Sequence, residues 1–227
     1  MYDINLLITT YNRPEMLDRL LNQLHEQGPK GLIIQIHNDG SSSNYLPVIK
    51  RHNKKLQIRY FYHTHYGKKR YWALINRVFK YRARAKYYIM LPDDDIIVEN
   101  FLIKIVKLWQ GIKDKKKICC MPSINPERKW VGCWTGLTPE KEGDVYNCGY
   151  VDMRFICENE FFRCVGDISP IPLSRWHYNE TISSGVGAQI STRLHDRGYK
   201  MYIAADDLTY QVDHPKMMNP NVTDRKW

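Results

Sequence analysis

The sequence predicts an α/β fold in which helices flank a mostly parallel central sheet. Short apolar runs typical of buried strands alternate with segments whose apolar residues recur at helical spacing. Polar loops follow three of the predicted strands, as expected where parallel strands end at a common edge and open a ligand crevice. The pattern changes in the second half of the chain, which we expect to form a further lobe of the same fold.

Four predicted strands and three predicted helices account for the first half of the chain. The strands are Ile4–Thr9, Leu32–His37, Leu56–His63 and the run that begins at Tyr87 and ends in carboxylates. The first helix starts near Pro14, a residue that suits a first helical turn, and stops at Gly28. The apolar spacing places a second helix after Gly67 and a third from about Phe101.

From about Lys117 onward the elements are shorter. The predicted strand-like pieces are Ile118–Ile124, Val151–Cys157, Lys200–Ala204 and Leu208–Val212. A late helix is predicted over Ser184–Asp196, with Gly198 just beyond its end. Neither a repeat nor a low-complexity linker separates the two halves, so a single domain is expected.

The composition is that of an ordinary globular protein, with 43% hydrophobic and 26% charged residues among 227. The 34 Lys and Arg residues exceed the 24 Asp and Glu, and the net charge of +10 favours anionic partners such as nucleotides, nucleic acid or an acidic membrane surface. No run is long enough to span a bilayer, and the chain opens into a strand instead of a signal peptide. A cytoplasmic location with free cysteine thiols is therefore expected.

Three consecutive carboxylates, Asp93, Asp94 and Asp95, end the fourth predicted strand. Crowded carboxylates repel one another unless a cation or hydrogen-bond donors neutralise them. Hard oxygen ligands of this kind suit Mg²⁺ or Mn²⁺ shared with substrate phosphates. The simpler alternative is a solvated acidic turn that caps the next helix.

The order of motifs resembles the inverting GT-A glycosyltransferases of the family-2 kind. The matching segments are Thr9–Arg13 for T-x-Y-N-R, Asn38–Ser41 for D-D-G-S, the basic-to-helical Lys69–Asn76, Asp93–Asp95 for D-x-D, Arg193–Tyr199 for R-L-x-x-x-G-Y, and His214 after the last strand. Asn38 replaces the first Asp of its motif. The resemblance implies a GT-A fold in which residues 1–116 form the nucleotide-sugar-binding half and residues 117–227 the acceptor-side half.

The same resemblance implies a UDP-type sugar donor and a divalent ion, Mn²⁺ or Mg²⁺. Asp39 would accept a hydrogen bond from the uracil imide, while Thr9 and Tyr11 frame the base. The two arginines of the donor site would reach a uracil carbonyl or a phosphate. The full set of residues that the resemblance implies for donor binding is Thr9, Tyr11, Arg13, Asp39, Arg70, Asp93 and Asp94. The metal ligands would be Asp95, Asp93 and His214. His63 and His65 are interpreted as structural.

The expected catalytic base is missing from its family position. Transfer to a hydroxyl with inversion needs a base, which the family supplies as an Asp shortly before R-L, and the alignment places Gly187 there. Glu180 and Asp152 are the carboxylates that we select as replacements. Their alternative interpretation is that of ordinary surface or loop residues.

The acceptor and the activity itself have open alternatives. Basic runs interleaved with aromatic residues suit a DNA backbone, and equally an anionic membrane beside a lipid-linked glycan. A glycan or lipid-linked glycan and a hydroxymethylated DNA base therefore both remain candidate acceptors. Because of Gly187, a catalytically inactive module that binds nucleic acid or nucleotide is the alternative function.

Overall fold

The computed structural model describes residues 2–28, 30–122, 140–170 and 185–211. Its strands are β1 (Tyr2–Thr10), β2 (Leu32–Asn38), β3 (Ile58–Tyr62), β4 (Ala85–Pro92), β5 (Asp95–Ile97), β6 (Lys117–Met121), β7 (Glu140–Glu142), β8 (Val145–Asn147), β9 (Phe155–Cys157), β10 (Lys200–Ala204) and β11 (Thr209–Gln211). Its helices are α1 (Pro14–Glu26), α2 (Leu46–His52), α3 (Tyr71–Tyr81), α4 (Phe101–Gly111), α5 (Asn159–Val165) and α6 (Val186–Asp196). None of these helices is long and apolar enough to cross a membrane.

Nine strands form one mixed sheet in the order β3-β2-β1-β4-β9-β6-β10-β8-β7. The first four of these run parallel, whereas β9 joins β4 and β6 in antiparallel fashion. The predicted α/β fold is confirmed. The sheet also continues without a break from the first half of the chain into the second.

The core lies on both faces of this sheet because residues in a strand alternate between its faces. Leu6 and Ile8 of β1 pack in the cluster that receives α1, α2 and α4, whereas Leu7 belongs to the cluster that receives α3, α5 and α6. The predicted helical stripe of α1 is confirmed, since Leu17 and Leu24 are fully buried. Helices on both faces hold the central strands in a fixed register.

That register brings the predicted polar loops to one edge. Thr10 of β1 lies opposite Asn38 of β2, and Thr9 lies opposite Pro92 of β4. The carboxyl ends of three adjacent parallel strands therefore lie at the same level, where open α/β sheets bind ligands.

The chain turns after Pro92, and β5 leaves the main sheet to pair with β11. Side chains of α1 hold this segment in place. Arg19 donates to the carbonyl of Asp94 at 3.1 Å, and the Gln23 amide both donates to and accepts from the backbone of Ile97 at 3.3 Å. One helix thus fixes the path of the three aspartates.

Several element predictions are wrong in extent. Only Phe155–Cys157 of the predicted strand-like piece Val151–Cys157 is a strand, and the helices α2 and α5 were not predicted. The third strand ends at Tyr62, so His63 lies in the loop that follows. All of the cysteines that the structure describes are free, as expected.

Candidate active site

The three aspartates form a buried turn at the carboxyl end of β4. Asp93 and Asp95 are fully buried and Asp94 is 2% exposed. Burial of this kind excludes the alternative of a solvated acidic turn. Carboxylates that are removed from water also need compensating partners. The partners are two arginines, one from each half of the chain.

Arg13 pairs with the first of these carboxylates, Asp93, and Thr10 donates a hydrogen bond to it. The Arg13 guanidinium lies 2.5 Å from Oδ1 of Asp93 and 3.3 Å from Oδ2 of Asp94. The Thr10 hydroxyl donates to Oδ2 of Asp93 at 2.5 Å. Arg13, which is predicted to contact a uracil carbonyl or a phosphate, forms an ion pair with the acidic turn in this structure.

Arg154 pairs with the third carboxylate of the turn, Asp95. Its Nε lies 2.9 and 3.0 Å from the two carboxylate oxygens of Asp95, and its Nη1 lies 3.6 Å from Oδ2 of Asp152. Arg154 lies in the segment just before β9, which is antiparallel to β4. The candidate base Asp152, whose side chain is 49% exposed, is thereby linked to the acidic turn.

Burial and charge act in opposite directions on this turn. Burial raises the pKa of Asp93 to about 7, although Arg13 acts to lower it. Burial likewise raises the pKa of Asp95 to about 7, against Arg154. Burial lowers the pKa of Arg154, but the carboxylates around it, Asp95 foremost, outweigh that effect and raise its pKa overall. The arginine is thus charged throughout, and two arginines face three carboxylates.

Asp39 organises the neighbouring loop. Its carboxylate accepts hydrogen bonds from the backbone N–H groups of Tyr66 at 2.7 Å and Gly67 at 3.0 Å. Gly40, at φ +69°, lets this loop approach closely, because a Cβ there would lie 2.5 Å from the backbone nitrogen of His65. Asp39 is therefore more than a turn former, since it fixes the residues that face Tyr11.

Aromatic side chains line the space between these loops. The rings of Tyr11 and His65 stack with centroids 4.4 Å apart, and Arg70 lies 5.7 Å from the centroid of the Tyr66 ring. The structural interpretation of His65 is therefore incomplete, because its ring is half exposed beside the predicted base-binding residue. Arg70 also donates to the His65 carbonyl at 3.2 Å.

Tyr71 lies between the donor-side loops and the Asp152 segment. Its hydroxyl is 3.5 Å from Oγ1 of Thr9. Burial raises the pKa of Tyr71 to about 12, and the charges of Asp152, Arg154 and Asp39 also act on it. The predicted donor residues and Asp152 thus converge on one site.

The surroundings of Gly187, the residue aligned with the family's base, leave little room for a side chain. A Cβ at Gly187 would lie 2.8 Å from the Val151 carbonyl oxygen and 2.9 Å from the Tyr150 hydroxyl. A side chain there would have to displace backbone from the segment that carries Asp152. The other predicted base, Glu180, and the predicted ligand His214 lie outside the described residues.

The acidic turn has the chemistry of a divalent-cation site, since carboxylates are the hard ligands that Mg²⁺ and Mn²⁺ prefer. The present arrangement is different: within the described ranges, no three His, Cys, Asp or Glu side chains converge as metal ligands. Arg13 and Arg154 occupy carboxylate oxygens that an ion would use. The residue types fit the ion, whereas their current partners are arginines.

Sequence reasoning missed Arg154, Thr10 and His65. An arginine two residues after a candidate base, in a segment of ordinary composition, gives no local signal of an ion pair across the sheet. Thr10 lies within the T-x-Y-N-R segment, and its place beside Thr9 at a strand end was the available signal.

Together, the nine-stranded sheet and the polar edge define a domain of the GT-A glycosyltransferase fold. The model of the glycosyl transferase family 2 matches residues 6–160, more than half of the chain. The chain therefore belongs to glycosyl transferase family 2. A search of curated protein sequences finds no match.

Solved structures similar to this chain share the fold at low identity. TarS 1–349 of S. aureus in complex with UDP is 16% identical with a TM-score of 0.62, over 94% of this chain and 61% of that chain. The mannosyltransferase PcManGT of Pyrobaculum calidifontis, in complex with GDP-Man and Mn²⁺, is 14% identical with a TM-score of 0.60, over 90% and 58%. GalNAc-T7 with UDP, GalNAc and Mn²⁺ is 14% identical with a TM-score of 0.64, over 98% and 46%. The chain thus spans less than two thirds of each of these structures.

Proposed function

We propose that this chain transfers a sugar from a UDP-type nucleotide donor to an acceptor hydroxyl. The observation that carries the proposal is the convergence of the buried aspartate turn, the Asp39 loop and Asp152 at one edge of the sheet. Membership of glycosyl transferase family 2 supports the reaction class. Similar structures that contain UDP or GDP-Man support a nucleotide sugar as the donor.

The donor side would be formed by the loops after β1 and β2. Tyr11, stacked on His65, offers an aromatic surface for the base, and Thr9 lies beside it. Asp39 has acceptor capacity left for a uracil imide, because an ionised carboxylate can accept about four hydrogen bonds and the two oxygens hold two loop N–H groups. Arg70, exposed at the rim, would reach a phosphate.

The acidic turn would hold the ribose and a divalent ion, with Asp93 and Asp94 toward the ribose and Asp95, Asp93 and His214 as ligands of Mn²⁺ or Mg²⁺. Gln211, the last described residue before His214, lies opposite Asp95 in the β5–β11 pairing. When bound, such an ion stabilises the charge of the leaving nucleoside diphosphate.

Asp152 is the proposed base. Its carboxylate would take the proton of the acceptor hydroxyl while that oxygen bonds to the anomeric carbon and the bond from this carbon to the diphosphate breaks. The products are the glycosylated acceptor and the nucleoside diphosphate. Partial exposure leaves Asp152 open to an acceptor, and Arg154 orients it toward the buried turn. Glu180 is the second candidate from the sequence.

Release of nucleoside diphosphate from a panel of UDP- and GDP-sugars tests the proposal, with a lipid-linked glycan and hydroxymethylated DNA as separate acceptors. Asp152→Asn should lower kcat by about 10²–10⁴-fold, the usual range for a general base, and leave donor affinity nearly unchanged. Asp144→Asn, at an exposed turn between β7 and β8, is the matched control and should behave as wild type.

Wild-type activity in Asp152→Asn would remove the base assignment. Salt-sensitive DNA binding without turnover of any donor would instead support the binding module and contradict the enzyme. Turnover that depends on the acceptor supplied would identify which acceptor class the site takes.

A further inference from the structure

Arg154 joins two carboxylates to which the proposed function gives different tasks. Its Nε contacts both oxygens of Asp95 at 2.9 and 3.0 Å, and its Nη1 lies 3.6 Å from Asp152. Asp95 is fully buried, Asp152 is half exposed, and the Arg154 side chain is 18% exposed. Arg154 therefore lies at the boundary between the buried turn and the open part of the site.

In its observed position against both carboxylate oxygens, the Arg154 guanidinium opposes the binding of a divalent ion to Asp95. The single Nε–H group is shared between the two carboxylate oxygens, so neither oxygen is left without this contact. A divalent ion placed beside the guanidinium would also be repelled by its positive charge. Arg13 does not substitute for this contact, since it is paired with Asp93 and Asp94.

We propose that Arg154 is the internal counter-ion of Asp95 in the metal-free protein, and that a divalent ion binds Asp95 only by displacing it. Once displaced, the guanidinium stays in the site through Asp152 and presents its remaining donors to the donor diphosphate. Arg154 is thus a positioning residue that links ion loading to the carboxylate proposed as the base. The inference rests on the proposed function, because it takes the acidic turn to be the ion-binding side of a donor site.

The first test is a Mn²⁺ titration of the full chain without donor, followed by electron paramagnetic resonance of free Mn²⁺. Arg154→Met should bind Mn²⁺ more tightly than wild type, on the order of tenfold or more, because the ion no longer breaks a charge-assisted contact. Arg163→Met, which removes an exposed arginine of α5, should bind as wild type. An affinity of Arg154→Met within about twofold of wild type, or no Mn²⁺ binding by either protein, would overturn the proposal.

The second test separates displacement from a mere change in net charge, and it uses the wild-type protein. The Nε–H resonance of Arg154, assigned by its loss in Arg154→Lys, is followed by NMR while Mg²⁺ is added. Displacement predicts that this resonance shifts and that its hydrogen exchange accelerates as Asp95 is released. An unchanged resonance at saturating Mg²⁺ would contradict displacement even if Arg154→Met binds Mn²⁺ more tightly. Neither readout involves sugar transfer, so failure here is distinct from failure of the proposed function.

Discussion

His37 makes the stability of the strand behind the donor loop sensitive to pH. It is the residue of β2 just before Asn38 and is fully buried, with Nδ1 3.0 Å from Nε2 of His63 and its ring stacked 4.7 Å from Phe61. Burial lowers the pKa of His37 to about 3, and His63 adds to this. Burial also lowers the pKa of His63, as does Arg77.

The sign and size of the effect follow from these pKa values. The imidazole of His37 takes up a proton near pH 6.5 in the unfolded chain and only near pH 3 in the folded one. Its neutral form therefore contributes stability that is fully present above pH 6.5 and is lost as the pH falls toward 3. Between pH 7 and pH 5 this single group lowers the free energy of unfolding by about 2 kcal/mol.

The acidic turn acts in the opposite direction over the same pH range. The folded-state pKa of Asp93 and that of Asp95 are raised to about 7, so these groups favour the folded state at low pH and lose that contribution as the pH rises. The His37 effect is therefore visible only as a difference between two proteins that share these carboxylates.

Urea unfolding of wild type and His37→Asn at pH 7 and pH 5 supplies that difference. The asparagine keeps a polar group near the position of Nδ1 but does not titrate, so the variant should lose about 2 kcal/mol less stability than wild type when the pH is lowered. His195→Asn, on the exposed face of α6, is the matched control. Equal pH dependence in wild type and His37→Asn would refute the reasoning, whatever the absolute stabilities.

Two further substitutions test the loops of the site. Asp39→Ala should lower the free energy of unfolding in urea by about 1–3 kcal/mol, because two loop N–H groups lose their acceptor, and it should also weaken donor binding. Asp144→Ala is the control. An unchanged urea midpoint in Asp39→Ala would contradict the role of Asp39 in holding the loop. Gly187→Ala should cost about 1–3 kcal/mol, because its Cβ would lie 2.8 Å from the Val151 carbonyl oxygen. Gly111→Ala, in a helix with open space around it, should be neutral or slightly stabilising, and equal thermal stability of the two alanine variants would contradict the close approach.

The elements that sequence predicts well are the long ones with a clear period. The four leucines of α1 and the apolar run of β4 are signals repeated over several turns or pleats, and both elements are found where predicted. Helix α2 is only seven residues long and does not carry enough repeats to be recognised, whereas β9 is only the last three residues of a longer predicted piece. Val151–Arg154 was mistaken for strand because apolar and polar residues alternate there in a segment that forms none.

The sequence by itself determined which residues could do chemistry here: three carboxylates after a buried strand, an Asp-Gly loop and an aromatic turn, in the order typical of one family. Only the tertiary structure decided which charges meet. Arg13 reaches Asp93 over 80 residues and Arg154 reaches Asp95 over 59, because the strand order places β1 and β9 on either side of β4. Local patterns report spacing along the chain, whereas ion pairs depend on distance in space, so the neutralisation of the acidic turn could not be read from either segment alone.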